Sequence, residues 1–255
     1  MVLSMDRWRG KVAIVTGASS GIGAAIVMRL VEDGMVVVGL ARRLDRMKDL
    51  EQQLHTSKGK FHPYQCDMSV ESDILSSFKY VTENIGPVHV LINNAGCSFK
   101  STLAEGDTEK WKTTIDVNVL GLCIATREAV KDMKKNHIDG HIIHINSILG
   151  HRLPVLEGLN IYPATKHAVT ALTETLRQEI NKMKLKIRIT SISPGIVTTD
   201  FFTSGNHQSI KKQVEDNDMP FLSPEDIADG VHYTLSTPAG VNVLELTIKP
   251  VNELL

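Results

Sequence analysis

The sequence predicts a single α/β domain built on a doubly wound parallel sheet of about seven strands. Three observations carry this. Seven short apolar runs alternate with six helix-like segments, the pattern of repeated βαβ units. Most strand-like runs are almost continuously apolar, as strands buried on both faces are. No Gly-, Pro- or Ser-rich linker divides the 255 residues, a length that suits one such domain.

Composition narrows the function classes. Lys and Arg number 28 against 29 Asp and Glu, for a formal net charge of −1, which gives no support to nucleic-acid or polybasic membrane binding. No run approaches the ~18 apolar residues that span a bilayer, and Asp6, Arg7 and Arg9 interrupt any N-terminal apolar region, so no membrane insertion is expected. Cys66, Cys97 and Cys123 are odd in number and form no C-x-x-C pair; reduced thiols and a cytoplasmic location are expected.

Lys11 to Thr16 reads as the first strand. It feeds Gly17-Ala18-Ser19-Ser20-Gly21-Ile22-Gly23 and then a helix from about Ile22 to Asp33, closed by Gly34. A strand, a Gly-rich turn and a helix N-terminus make a phosphate site for a dinucleotide: Gly17 permits the tight turn, Gly21 lets backbone approach the pyrophosphate, and Gly23 lets helix and strand pack closely. Met35 to Ala41 is the second strand. Where NAD-binding units carry an acid for the ribose 2′-hydroxyl, this chain has Arg42-Arg43. Arg pairs bidentately with phosphate, which argues for a 2′-phosphate and hence NADP(H) against a pair of surface arginines at a helix start.

Lys60 to Cys66 is the third strand. Asp67 either accepts from an adenine amino group or caps the helix Ser69 to Asn84. His89 to Ile92 is the fourth strand, and Asn93-Asn94-Ala95-Gly96 at its end either holds a turn against a cofactor or ties neighbouring strands. A long helix runs from Thr108 to about Lys135 with Asn118 inside it. A mid-helix Asn asks for a reason: it either positions a water or is bonded within the core. His141 to Asn146 is the fifth strand. His141 and His144, three apart on it, point to opposite faces and read as structural, as does His167; no metal site is expected. Ile187 to Ile192 is the sixth strand, leading into Ser193-Pro194-Gly195-Ile196-Val197-Thr198-Thr199-Asp200, a rigid turn with free backbone N–H groups. Residues 201–222 read as a substrate loop, Ser223-Pro224-Glu225-Asp226 as a helix start, and Val243 to Ile248 as the last strand.

One stretch stands apart. Ser147 closes the fifth strand, and Tyr162 and Lys166, about one turn apart, share a face of the next helix, with Pro163 fixing its first turn. A free Tyr, with a pKa of about 10, is a poor acid–base group at neutral pH, and a neighbouring ammonium is expected to lower that value. Ser147 can donate to a carbonyl or alkoxide oxygen. Ligands in doubly wound sheets sit beyond the carboxyl ends of the strands, and Gly17, Asp67, Asn94, Ser147 and Pro194 all follow strand ends.

The set Thr16-Gly17-x-x-x-Gly21-Ile22-Gly23, Asn93-Asn94-Ala95-Gly96, Asn118, Ser147, Tyr162-x-x-x-Lys166 and Pro194-Gly195 resembles the short-chain dehydrogenase/reductase family over essentially the whole chain. The resemblance implies a Rossmann-type sheet and hydride transfer, with Asn118, Ser147, Tyr162 and Lys166 catalytic. Tyr162 would be the proton donor or acceptor. Lys166 would lower its pKa and bind the nicotinamide ribose, Ser147 would hold the substrate oxygen, and Asn118 would position a water linking Lys166 to solvent. NADP(H) would be bound by Gly17, Ser19, Ser20, Gly21, Ile22, Gly23, Arg42, Arg43, Asp67, Met68, Asn94, Ala95, Gly96, Tyr162, Lys166, Pro194, Gly195, Ile196, Val197 and Thr199. The gap of 15 from Ser147 to Tyr162, with Gly150-His151-Arg152, Asp6-Arg7-Trp8 and Val169 to Glu174, is similar to the dehydrogenase/reductase member 11 group, in whose neighbourhood stand insect farnesol dehydrogenase-like proteins. That implies a lipophilic alcohol or carbonyl substrate, farnesol-type or steroid-type, and a homodimer or homotetramer joined through the Thr108 and Tyr162 helices. Ile148, Leu149, Leu153, Leu156 and Leu159, with Phe201 and Phe202, either line an apolar substrate pocket or are ordinary packing. A different class, a non-catalytic NADP(H) sensor, has no need of the Tyr and Lys.

Overall fold

Val12–Thr16 forms β1, buried along its whole length. In the computed structural model, which describes residues 3–153, 158–199 and 220–253, it is an interior strand of a seven-stranded parallel sheet with β2 (Val36–Ala41), β3 (Lys60–Gln65), β4 (Val88–Asn93), β5 (His141–Ile145), β6 (Arg188–Pro194) and β7 (Glu245–Ile248), in the order β3-β2-β1-β4-β5-β6-β7. β1, β5 and β6 are buried at every position, which explains their continuous apolar character: helices cover both faces. β3 is an edge strand and tolerates a proline, Pro63, paired in register with Gly39.

The connecting helices are α1 (Gly21–Glu32), α2 (Leu44–Gln53), α3 (Glu71–Asn84), α4 (Thr108–Ile115), α5 (Leu122–Lys135), α6 (Tyr162–Lys182) and α7 (Pro224–Ser236). α1, α2 and α7 bury Ile26, Leu30, Met47, Leu50, Ile227 and Val231 against one face of the sheet. α3, α5 and α6 bury Ile74, Phe78, Ala129, Met133 and Ile180 against the other. Each such Ile, Leu, Val, Met or Phe side chain contributes about 1.5–3 kcal/mol by leaving water. α7 starts as expected: Ser223 and Asp226 form a reciprocal capping box with Pro224 behind the cap.

The helix expected as one piece from Thr108 to Lys135 is interrupted. Residues Asp116–Gly121 form a π-helical turn between α4 and α5, with Asn118 inside it. α3 starts at Glu71 and β7 at Glu245, later than expected. The sheet's order reverses across β1 and β4, so the crevice between their carboxyl ends is the topological switch point where such folds take ligands.

Candidate active site

A cavity of about 560 Å³ opens at that point. It is lined by Gly17, Ser19, Ser20, Gly21, Ile22, Gly23, Arg42, Arg43, Asp67, Met68, Asn94, Ala95 and Gly96 towards one end, by Ser147, Tyr162 and Lys166 towards the other, and by Pro194, Gly195, Ile196, Val197 and Thr199 along the side. Of the catalytic and cofactor-binding residues expected from sequence, only Asn118 is absent from the lining.

The glycine turn is sterically dictated. Gly17 has φ +69°, and a Cβ there would meet Asn94 Nδ2 and Ala95 Cα at 2.9 Å. A Cβ on Gly23 would lie 2.2 Å from the Gly17 carbonyl oxygen, so the helix starts directly on the turn. No side chain caps α1 at Ser20, which leaves its first-turn N–H groups for an anion. Arg43 lies across the turn: Nε and Nη2 donate to Ser19 Oγ at 3.2 and 3.1 Å, and Nη2 donates to Ser20 Oγ at 2.6 Å. Arg42 faces both this cavity and an adjoining one of about 420 Å³ shared with Tyr64, Gln65, Asp67, Asp73 and Ser76.

Asn94 takes the tying role: Nδ2 donates to Thr16 O at 2.9 Å and Gly17 O at 3.3 Å, and Asn94 N and Ala95 N both donate to Thr16 Oγ1 at 3.0 Å. This joins the ends of β1 and β4. Asp67 accepts from Ser69 N and Ser69 Oγ at 2.9 and 2.7 Å, so it organises the turn ahead of α3 and does not cap the helix. Asn118, 2 % exposed, is bonded within the core. Its Oδ1 accepts from Cys97 N at 2.8 Å, and its Nδ2 donates to Cys97 O at 2.9 Å and Thr165 Oγ1 at 3.1 Å. One amide thus holds the turn after β4 against the first turn of α6.

Tyr162 and Lys166 are 9 % and 6 % exposed. Lys166 Nζ donates to Ile145 O at 2.9 Å and lies 5.7 Å from the centre of the Tyr162 ring. Burial pushes the Tyr162 phenol above its ordinary value, opposed in part by a hydrogen bond with Ser147; burial pulls Lys166 down to about 8. Burial sets the net direction of the phenol, upward. Desolvation disfavours the charged form of both groups, the phenolate and the ammonium. The phenol is held protonated and the lysine is a weak acid near neutrality. Ser147 Oγ also accepts from Leu149 N at 3.1 Å, which fixes the side chain on the cavity wall.

The Pro194–Thr199 turn is less open than expected. Gly195 N donates to Ile248 O at 2.7 Å and Thr198 N to Leu222 O at 2.9 Å; Leu222, at the end of the expected substrate loop, pairs with Val197. Residues 200–219 lie outside the described residues, and with them Phe201 and Phe202; Leu156 does too. Leu153 is 73 % exposed and forms no part of the wall. Ile148, Leu149 and Leu159 pack on Tyr162 and line the cavity. Cys97, Ser98, Phe99, Thr113 and Val117 line it as well and were not anticipated; the signal was their position just after Gly96 and, for Thr113 and Val117, on the cavity side of the Asn118 helix. Burial pushes the Cys97 thiol up to about 11, so it acts as a neutral wall group.

His141 and His144 are fully buried and structural. His141 Nε2 bonds Thr190 Oγ1 at 2.7 Å, and His144 Nδ1 bonds Thr173 Oγ1 at 2.9 Å. Burial holds both well below the ordinary imidazole value, His144 at about 4. Among the described residues no cluster of three His, Cys, Asp or Glu stands ready for a metal, the three cysteines are free, and no helix is long and apolar enough to cross a membrane.

Fold and site together define a class: a doubly wound α/β protein with a dinucleotide-type glycine turn facing a Ser–Tyr–Lys group across one crevice. Comparison with known proteins makes this specific. The family model described as short chain dehydrogenase matches residues 11–209. The chain is 47 % identical over 251 residues to a farnesol dehydrogenase of Aedes aegypti, covering 98 % of this chain and 99 % of the relative. It is 45 % identical over 253 residues to dehydrogenase/reductase SDR family member 11 of Homo sapiens, covering 98 % and 97 %. Among solved structures it is similar to the closed form of a serine dehydrogenase complexed with NADP+, with TM-score 0.86, 29 % identity and 96 % of each chain covered. The chain belongs to the short-chain dehydrogenase/reductase family and is an oxidoreductase of that fold.

Proposed function

We propose that the chain is an NADP(H)-dependent alcohol dehydrogenase/carbonyl reductase that interconverts a lipophilic alcohol, of the farnesol type, and its carbonyl. The observation that carries this is the meeting of Ser147, Tyr162 and Lys166 in one cavity with the glycine turn and two guanidiniums. Arg42 and Arg43 stand where a 2′-hydroxyl-reading acid would stand, and the uncapped α1 N-terminus suits phosphate. The residues present therefore fit NADP(H), the ligand of the serine dehydrogenase neighbour. The apolar wall of Ile148, Leu149 and Leu159 and the Aedes aegypti relative support a lipophilic substrate.

Bound NADP(H) supplies or accepts the hydride. In reduction, the Tyr162 Oη proton passes to the carbonyl oxygen as the C=O π bond opens; in oxidation, the same oxygen takes the hydroxyl proton. Ser147 donates to the substrate oxygen and holds it beside Tyr162. Lys166 keeps a positive charge beside the phenol below about pH 8, which stabilises negative charge on that oxygen during transfer. Asn118 fixes the separation between the Cys97 turn and α6 that this geometry needs. We assign the protein to the cytoplasm and to a homodimer or homotetramer joined through α4–α5 and α6, where Ile115 and Leu120 are about half exposed; light scattering of the purified protein tests the assembly.

The deciding experiment follows NADPH and NADH absorbance with farnesol, farnesal, a steroid ketone and a small diketone. Turnover of farnesol with NADP(H) is expected. Activity on ketones alone moves the assignment to a steroid or general carbonyl reductase, NADH preference overturns the 2′-phosphate reading, and cofactor binding without turnover on a broad panel makes the protein a sensor.

A further inference from the structure

The apolar end of the cavity is walled by two loops far apart in sequence, residues 97–101 after β4 and residues 158–161 before α6, and they are fastened to each other. Ser101 and Leu159 form an isolated parallel bridge, with Ser101 N donating to Gly158 O at 3.3 Å. Asn160 closes the clasp. Its Nδ2 donates to Phe99 O at 2.5 Å and to Ser101 Oγ at 3.0 Å, and its Oδ1 accepts from Ile161 N. Its φ of +40° lies in the left-handed region, which Asn tolerates better than most residues; this bend lets one short side chain serve both loops. The contact is close beside it too, since a Cβ on Gly158 would meet Lys100 Cγ at 2.9 Å. Phe99 on one loop and Leu159 on the other both face the cavity, and Leu159 packs on Ile148, Leu149 and Tyr162.

Resting on the reading that this end receives the alcohol or carbonyl, we infer that Asn160 is a positioning residue that determines substrate selectivity. It holds Phe99 and Leu159 at a fixed separation, so a long apolar substrate meets a preorganised wall and loses little freedom on binding. A short substrate, which reaches only Ser147 and Tyr162, gains nothing from the clasp.

Two variants separate the parts of the device. Asn160→Asp keeps an acceptor for Ile161 N and tolerance of the left-handed bend but has no donor for Phe99 O or Ser101 Oγ. Asn160→Gly keeps only the bend. In both, kcat/KM for farnesol is expected to fall at least tenfold, mainly through KM, while kcat/KM for propan-2-ol stays within twofold and NADPH affinity by fluorescence is unchanged. Amide exchange across residues 97–103 in the cofactor-free protein is expected to speed up at least tenfold. A farnesol-to-propan-2-ol ratio within twofold of the parent in both variants overturns the inference, and so does an equal loss on both substrates with weakened NADPH binding, the mark of general structural damage. If the parent turns over no alcohol or carbonyl, the functional reading fails by itself and the exchange measurement decides the clasp: faster exchange supports it, unchanged exchange overturns it.

Discussion

The two ends of the cavity are held by different means. At the glycine turn, contacts join the strand ends through Asn94 to Thr16 and Gly17, and α1 starts so close that a Cβ on Gly23 would strike the Gly17 carbonyl. Few side chains are free to vary there, because β1 and β4 are neighbours in a buried sheet. At the apolar end, two loops meet through one side chain and one bridge. The first end is a property of the fold. The second is local and replaceable, so changes there can alter selectivity while the sheet stays intact. Tyr162 sits where the two meet.

Removing the phenol at that junction has the largest expected effect. Tyr162→Phe should lower kcat by about 10²–10⁴, the usual range for loss of a positioned general acid, with NADPH affinity falling far less than kcat; a comparable kcat in the variant would separate chemistry from both ends. Next, Arg42→Ala or Arg43→Ala should weaken NADPH binding by roughly 10–100-fold, as expected for a charge-assisted bond worth about 1.5–3 kcal/mol, with NADH binding little changed. Equal weakening of both would show the arginines act on the turn, where Arg43 already bonds Ser19 and Ser20.

Lys166 sharpens the comparison by its cost. Its ordinary value of 10.5 falls to about 8 in the fold. Below pH 8 both folded and unfolded chains carry the proton, and the penalty of burying the charge is complete. Between about 8 and 10.5 the unfolded chain binds more protons, so stability rises with pH across that window. Lys166→Met should therefore be inactive yet more stable at pH 7, by up to about 3 kcal/mol, with the gain fading between about pH 8 and 10.5; chemical denaturation at pH 7 and 10 measures it. The smallest effect belongs to the local end: Leu159→Ala should raise KM for farnesol several-fold and leave the melting temperature within a few degrees, since Leu159 is only partly buried.

The sheet and its rim were legible because they follow from period and position. Gly17, Asn94, Ser147 and Pro194 each come directly after an apolar run, and a parallel sheet places every such point on one side. The Ser223–Asp226 cap was legible because its chemistry is local. Contacts between distant segments were not: nothing near Asn118 announces Cys97 or Thr165, and nothing near Gly195 announces that Ile248 uses its N–H. The net direction of the phenol was not legible for a related reason. The spacing of Tyr162 and Lys166 reveals a neighbour, but the loss of water that raises the phenol depends on the whole enclosure.

The π turn at Asp116–Gly121 behaves as a phase shifter. One extra residue in a helix turns everything beyond it by about 100°, so α5 presents Ile124, Ala125, Ala129 and Met133 to the sheet only because the helix ahead of it is wound one residue long. Deleting a single residue there would restore regular winding and rotate either the buried stripe of α5 or the Asn118 amide out of place.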